Sequence, residues 1–297
     1  MSLVPGVHSV LVTPFASDES LDEPSVRTLV DYYVSAGVAG VLVLGVLGEA
    51  DSLSDGERER VQAAALAQAD GRVQVTVGVS APSTVLAAER AVSAERAGAS
   101  AVMVAPPAET LAGRVLGDHF RRIGERLSIP VVVQDLPAVG GVRMPVDFLA
   151  GLAGELPPGS VVKLEDPPTP VKTAALRAAA PALAVFGGLG GTALLHELDA
   201  GSSGTMTGFA LPHVLVEIVA AHRAGEPDRA RRAYEAALPL LVFEAQPVIG
   251  LGLRKEILRR RGAIAGATVR QPAAPVDERS LAALGELLEA VEAVASA

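Results

Sequence analysis

Short β-branched, apolar runs alternate along the chain with longer stretches in which apolar residues recur every three or four positions. The runs are VHSVLV from Val7, GVLVL from Gly40, VQVTVGV from Val73, AVMVA from Ala101, PVVVQ from Pro130, SVVKL from Ser160, LAVFGG from Leu183 and GTMTG from Gly204. They are nearly continuous in apolar character, as expected of parallel strands covered on both faces. The stretches between them have ordinary helical length, and some have legible starts. Ser54 and Glu57 form a capping box, and Thr169 followed by Pro170 predicts a cap with proline at the first helical position. Eight strand–helix units in about 225 residues predict an α/β fold, a closed (β/α)8 TIM barrel over residues 1–224, with an open doubly wound sheet as the alternative. Three helical segments follow without strands between them, at about 226–243, 247–261 and 277–295. They predict a C-terminal three-helix extension over residues 225–297.

In such a barrel the chemistry sits at the C-terminal ends of the strands. The polar or glycine-rich groups there are Thr13 to Phe15, Gly45 to Glu49, Gly78 to Ser80, Gln134 and Asp135, Lys163 to Asp166, Gly187 to Gly191, and Thr205 to Gly208. Lys163 stands out because the chain has only two other lysines, Lys172 and Lys255, among its 25 basic residues. Arginine stays charged at any accessible pH, whereas a lysine can lose its proton and attack a carbonyl. The plainer reading is a strand-end lysine reaching for solvent.

Composition narrows the partners. A formal net charge of −9 and the lack of a basic stripe argue against nucleic acid. There is no cysteine, so disulfides and thiolate metal sites are excluded. The N-terminal MSLVPGVHSVLVTPF lacks the pattern of a signal peptide, and no uncharged apolar run reaches bilayer length. A soluble cytoplasmic protein is expected. His8, His119, His196, His213 and His222 show no metal-ligand spacing; His8 falls near the bottom of strand one and the others on helices. No metal and no cofactor are expected. The segment Gly188 to Ala193 loosely matches a dinucleotide pattern but lacks an evident acidic ribose partner. It is open to three other readings: backbone approach to substrate, a phosphate site, or a tight turn.

Assembled in order, LVTPF, GVAGVLVLGVLGEADSLSDGERERV from Gly37, PVVVQDLP from Pro130, VVKLED around Lys163 and the glycines after strand seven resemble the dihydrodipicolinate synthase and N-acetylneuraminate lyase family. The resemblance covers nearly the whole chain, including the three C-terminal helices. It implies that Lys163 forms a Schiff base with a 2-keto acid of the pyruvate type. It also implies that the turn Gly45, Val46, Leu47, Gly48 offers backbone amides to the keto-acid carboxylate, and that the protein is a homotetramer or homodimer. A cationic imine would serve as the electron sink for a carbanion at the neighbouring carbon.

The departures are as informative. Val46 and Leu47 stand where the family usually has hydroxyls, and Gln134 stands where it has a tyrosine. The aromatic pair after strand four is absent, and the usual arginine position is Val139. Authentic dihydrodipicolinate synthase is therefore not expected. Gln134 can position a carbonyl or a water but cannot shuttle a proton. Glu165, two residues after Lys163, faces the same side if the strand persists and would serve as general acid and base. That suits dehydration of a 2-keto-3-deoxy sugar acid. The alternative is that Glu165 and Asp166 complement the following helix N-terminus. Glu49 is read as a structural hydrogen-bonding partner of the turn. Gly188, Met206 and Thr207 are further candidates for substrate contact. The leading expectation is a Schiff-base lyase, either aldolase or dehydratase. A catalytically lapsed barrel that binds a keto acid or sugar acid, and a barrel enzyme for a phosphorylated substrate, are the alternatives.

Overall fold

A computed structural model of the chain describes residues 2–108 and 110–295. Eight parallel strands form the sheet: β1 (Gly6–Val10), β2 (Gly40–Val43), β3 (Gln74–Gly78), β4 (Ala101–Val104), β5 (Val131–Asp135), β6 (Val161–Leu164), β7 (Ala184–Phe186) and β8 (Gly204–Thr207). Each pairs with its sequence neighbour, and β1 pairs with β8, His8 lying opposite Met206. A bridge between Gly187 and Thr205, just past β7, closes the ring. The sheet is a TIM barrel, as the alternation of runs predicts, and the strands stop one or two residues short of several of the apolar runs.

The helices are α1 (Glu23–Ser35), α2 (Asp55–Ala69), α3 (Thr84–Arg96), α4 (Arg114–Gly124), α5 (Pro137–Gly140), α6 (Val146–Ala153), α7 (Thr169–Ala179), α8 (Leu194–Asp199) and α9 (Pro212–Arg223), followed by α10 (Pro227–Glu244), α11 (Gly250–Arg260) and α12 (Glu278–Ala295). The capping box at α2 is present in full, with Ser54 and Glu57 satisfying each other's backbone N–H. At α7 the expected cap differs. Pro168 holds the cap position, and Thr169 is already helical. Its hydroxyl leaves the helix start and donates to Glu197 at 2.5 Å. Among the described residues no helix is long and apolar enough to cross a membrane.

Strand alternation sorts the side chains into two cores. Val41, Val43, Val75, Val77, Val131 and Val133 face the helices, whereas Val10, Leu42, Met103, Val132, Val161, Phe186 and Met206 fill the barrel interior. Because Val132 and Val161 point inward, so do Gln134 and Lys163, two residues on and paired in register. His8 closes the lower interior, edge-on to Phe186 at 5.2 Å, and its Nε2 donates to the Val4 carbonyl. Burial lowers its pKa, which keeps the ring neutral.

Two buried ion pairs hold the C-terminal helices, one joining α10 to α11 and the other tying α11 to the barrel. Glu244 accepts from Arg254 Nε at 2.7 Å and from the Ala210 N–H at 3.2 Å. Glu49, at the end of the β2 turn, accepts from Lys255 Nζ and from the Arg270 N–H. Lys255 and Arg270 both stack over Phe15, 4.6 and 4.2 Å from the ring centroid. Glu49 thus ties the turn to α11 and to the loop that follows it.

Candidate active site

Lys163, at the C-terminal end of β6, projects into the barrel with a side chain only 6% exposed. Glu165 continues the inward series, and its Oε2 lies 3.1 Å from Lys163 Nζ. Gln134 Nε2 donates to the same oxygen at 2.9 Å, and the Leu189 N–H donates to Oε1 at 3.2 Å. The structure therefore brings the three sequence-predicted chemical residues together. The Glu165 carboxylate is held by a side-chain amide, a backbone amide and an ammonium.

The glycines after β7 make room for this arrangement. A Cβ on Gly188 would lie 2.4 Å from Glu165 Oε1, and a Cβ on Gly187 would lie 1.7 Å from Glu197 Oε2. Two carboxyl groups thus press on consecutive backbone units. The Leu189 amide, which could have served a phosphate, already serves the protein's own carboxylate. Gly188 stands behind Glu165.

The β2 turn forms the facing wall. Leu44 and Glu49 have φ of 60° and 50°, and the short 3-10 turn between them closes through Gly48 N–H to Gly45 carbonyl and Glu49 N–H to Val46 carbonyl. The Val46 and Leu47 amides are the two that this closure does not use. Thr13 Oγ1 steadies the turn by donating to the Gly48 carbonyl at 2.6 Å. Leu47 leans over the barrel interior against Gly208, where a Cβ would meet its Cδ1 at 2.2 Å. Where the family usually has a hydroxyl, this chain thus has a packing residue. A cavity of about 240 Å³ opens beside the turn, lined by Gly45, Val46, Ser80, Met103, Gln134 and Val139 among others. Ser80 Oγ accepts the Ala105 N–H at 2.9 Å, which leaves its own proton to be donated elsewhere.

The remaining candidates fall elsewhere. Met206 is fully buried in the interior below the site. Thr207, one residue on, belongs to the opposite face of β8, in register with Ser9. Asp135 and Asp166 lie on the outer face and share Lys172, whose Nζ donates at 2.6 and 3.0 Å; Arg143 adds a 2.6 Å bond to Asp166. Burial raises the Asp135 pKa against the pull of Lys172. All three lysines therefore sit in ion pairs with little exposure. Lysine scarcity does not single out Lys163; its inward position does.

Sequence reasoning passed over Glu197. It follows Leu194 by three residues and precedes Leu198, and both leucines are buried, so helical spacing puts this glutamate on the inner face of α8. It is fully buried, and burial pushes its pKa up to about 7, opposed by the Thr169 hydroxyl and reinforced by the charge of Glu165.

The Dihydrodipicolinate synthetase family model matches residues 4–291. The chain belongs to this family. It is 33% identical over 273 residues to the L-2-keto-3-deoxyarabonate dehydratase of Azospirillum brasilense, covering 90% of this chain and 88% of that one. It is 29% identical over 284 residues to the 4-hydroxy-tetrahydrodipicolinate synthase of Ralstonia nicotianae, covering 93% and 94%. Among solved structures, the dihydrodipicolinate synthase of Rhodopseudomonas palustris superposes with a TM-score of 0.92 at 33% identity, over 98% of this chain and 99% of that one. The relatives are lyases of more than one reaction, so family membership establishes the general kind of chemistry and leaves the reaction to the residues.

Proposed function

We propose that this family member is a Schiff-base lyase that dehydrates a 2-keto-3-deoxy sugar acid. The observation that carries the reading is the Glu165 carboxylate, 3.1 Å from Lys163 Nζ inside the barrel, in a chain that lacks the family's hydroxyl relay. Attack requires the free amine, and Glu165 is placed to accept its proton. The amine adds to the C2 carbonyl, Glu165 returns its proton to the carbinolamine oxygen, water leaves, and a cationic imine forms. Glu165 then removes a proton from C3, giving the enamine. The electron pair returns to expel the C4 hydroxyl, which takes the proton from Glu165 and departs as water. Hydrolysis of the conjugated imine restores the amine, so the net change is the loss of one water.

Gln134 holds the working oxygen of Glu165 and cannot itself titrate. The Val46 and Leu47 amides are the natural receptors for the keto-acid carboxylate. The dehydratase relative in Azospirillum brasilense supports elimination over aldol cleavage. The phosphate reading is disfavoured because the Leu189 amide is occupied by Glu165. The lapsed-barrel reading is disfavoured because Lys163, the Glu165 carboxylate and the Gln134 amide lie within bonding distance of one another inside the barrel.

The test is borohydride reduction in the presence of pyruvate and a panel of longer 2-keto acids, followed by peptide mass spectrometry. An irreversible adduct on Lys163 is expected, and none in Lys163→Ala. A folded wild-type protein that yields no adduct with any member of the panel would overturn the imine mechanism.

A further inference from the structure

Glu165 has a partner that the proposed mechanism does not use. Past β7 the backbone runs between two carboxyl groups, Glu165 against Gly188 on the barrel side and Glu197 against Gly187 on the side of α8. Both contacts are closer than any Cβ would allow, so the paired glycines are what let the two acids approach each other. Glu197 Oε1 accepts the Thr169 hydroxyl at 2.5 Å, while Oε2 is buried without a hydrogen-bond partner among the described residues. A buried carboxyl oxygen left this way is costly and calls for an explanation.

We propose that Glu197 is a positioning residue for Glu165, a second carboxyl held across the Gly187–Gly188 backbone whose charge state governs how readily Glu165 takes up the C3 proton. The inference rests on the Schiff-base reading of Lys163 and Glu165. Helices α7, α9 and α10 and strand β8 pack against α8. From α7, Glu197 meets the Thr169 hydroxyl. Strand β8 carries no ionisable residue. From α10 comes Tyr234, whose own pKa is raised by burial and by the Glu197 charge. From α9, His222 is taken by Asp199 at 3.0 Å, at the exposed outer end of α8. Glu165, backed by Lys163 on β6, is the charged group that raises the Glu197 pKa.

The physical consequence is electrostatic coupling of the two acids without a direct bond. Glu197 holds its proton up to about pH 7. While it is neutral, Glu165 carries the only charge of the two acids. When Glu197 ionises, like-charge repulsion makes Glu165 a stronger base, so removal of the C3 proton speeds up as the pH rises through that value.

Two measurements test this. With [5-13C]glutamate incorporated, NMR should show one carboxyl titrating near pH 7. That signal should be absent in Glu197→Gln, move to lower pH in Glu165→Gln, and move to higher pH in Thr169→Val, which removes only the hydrogen bond. A midpoint unmoved by Glu165→Gln would refute the interaction whatever the chain catalyses. Turnover of the best-trapped keto acid should rise through about pH 7 in the wild type, and this inflection should vanish in Glu197→Gln while borohydride still traps Lys163. Trapping in both proteins with superimposable pH profiles overturns the inference alone. No trapping in the wild type overturns the mechanism and the inference together.

Discussion

Replacing Glu197 by Gln should stabilise the protein at neutral pH and leave it little changed in acid. The folded protein holds the Glu197 proton up to about pH 7, whereas an exposed glutamate releases it near 4.5. Between those values the folded state binds the proton more tightly than the unfolded chain does. The contribution of Glu197 is therefore at its best below about 4.5, declines as the pH rises, and is fully lost above about 7. At about 1.4 kcal/mol per pH unit the loss amounts to roughly 3 kcal/mol. Gln keeps the shape and can still accept the Thr169 hydroxyl, but it cannot titrate. Near this chain length 1 kcal/mol shifts the midpoint by roughly 2 °C, so the Tm of Glu197→Gln relative to wild type should climb by about 6 °C between pH 4.5 and 8. Melting curves of both proteins across that range measure it. A difference in Tm that stays flat with pH would show that Glu197 is ionised in the fold, and the reasoning from burial would fail.

Other substitutions probe the remaining contacts. Gln134→Leu removes the amide from Glu165 Oε2, a bond to a charged group worth about 1.5–3 kcal/mol, so turnover should fall roughly 10- to 100-fold while borohydride trapping on Lys163 persists. Unchanged turnover would remove Gln134 from the site. Lys255→Met leaves Glu49 without its ammonium partner in a nearly dry position and should cost about 3–5 kcal/mol, read as a lower urea midpoint. A wild-type midpoint would show that the C-terminal helices are not held by this pair.

Some of this molecule was readable along the chain because the governing physics is local. Near-continuous valine runs separated by helical periodicity can be buried on both faces in only a few ways, and eight of them favour a closed ring over an open doubly wound sheet. The Ser54–Glu57 capping box depends on a spacing of three residues and formed as read. The side shared by Lys163 and Glu165 follows from the two-residue period of a strand. Thr169 shows the limit of local reading. Its pattern suits a cap, but Glu197 lies 28 residues away and takes its hydroxyl, a choice made only when α7 and α8 meet. Glu49 and Lys255, 206 residues apart, become partners only when the last helices fold back over the mouth of the barrel. The glycines at 187 and 188 admitted several meanings in sequence because a missing side chain does not say what fills its place. Only closure of the barrel brought two carboxyls against them. Sequence by itself determined the strand–helix alternation and the side of the strand on which Lys163 lies, because strand period and residue chemistry travel with the chain, while tertiary structure decided which carboxylate lies beside that amine and which lies across the backbone from it, because burial and charge depend on what surrounds a group in space.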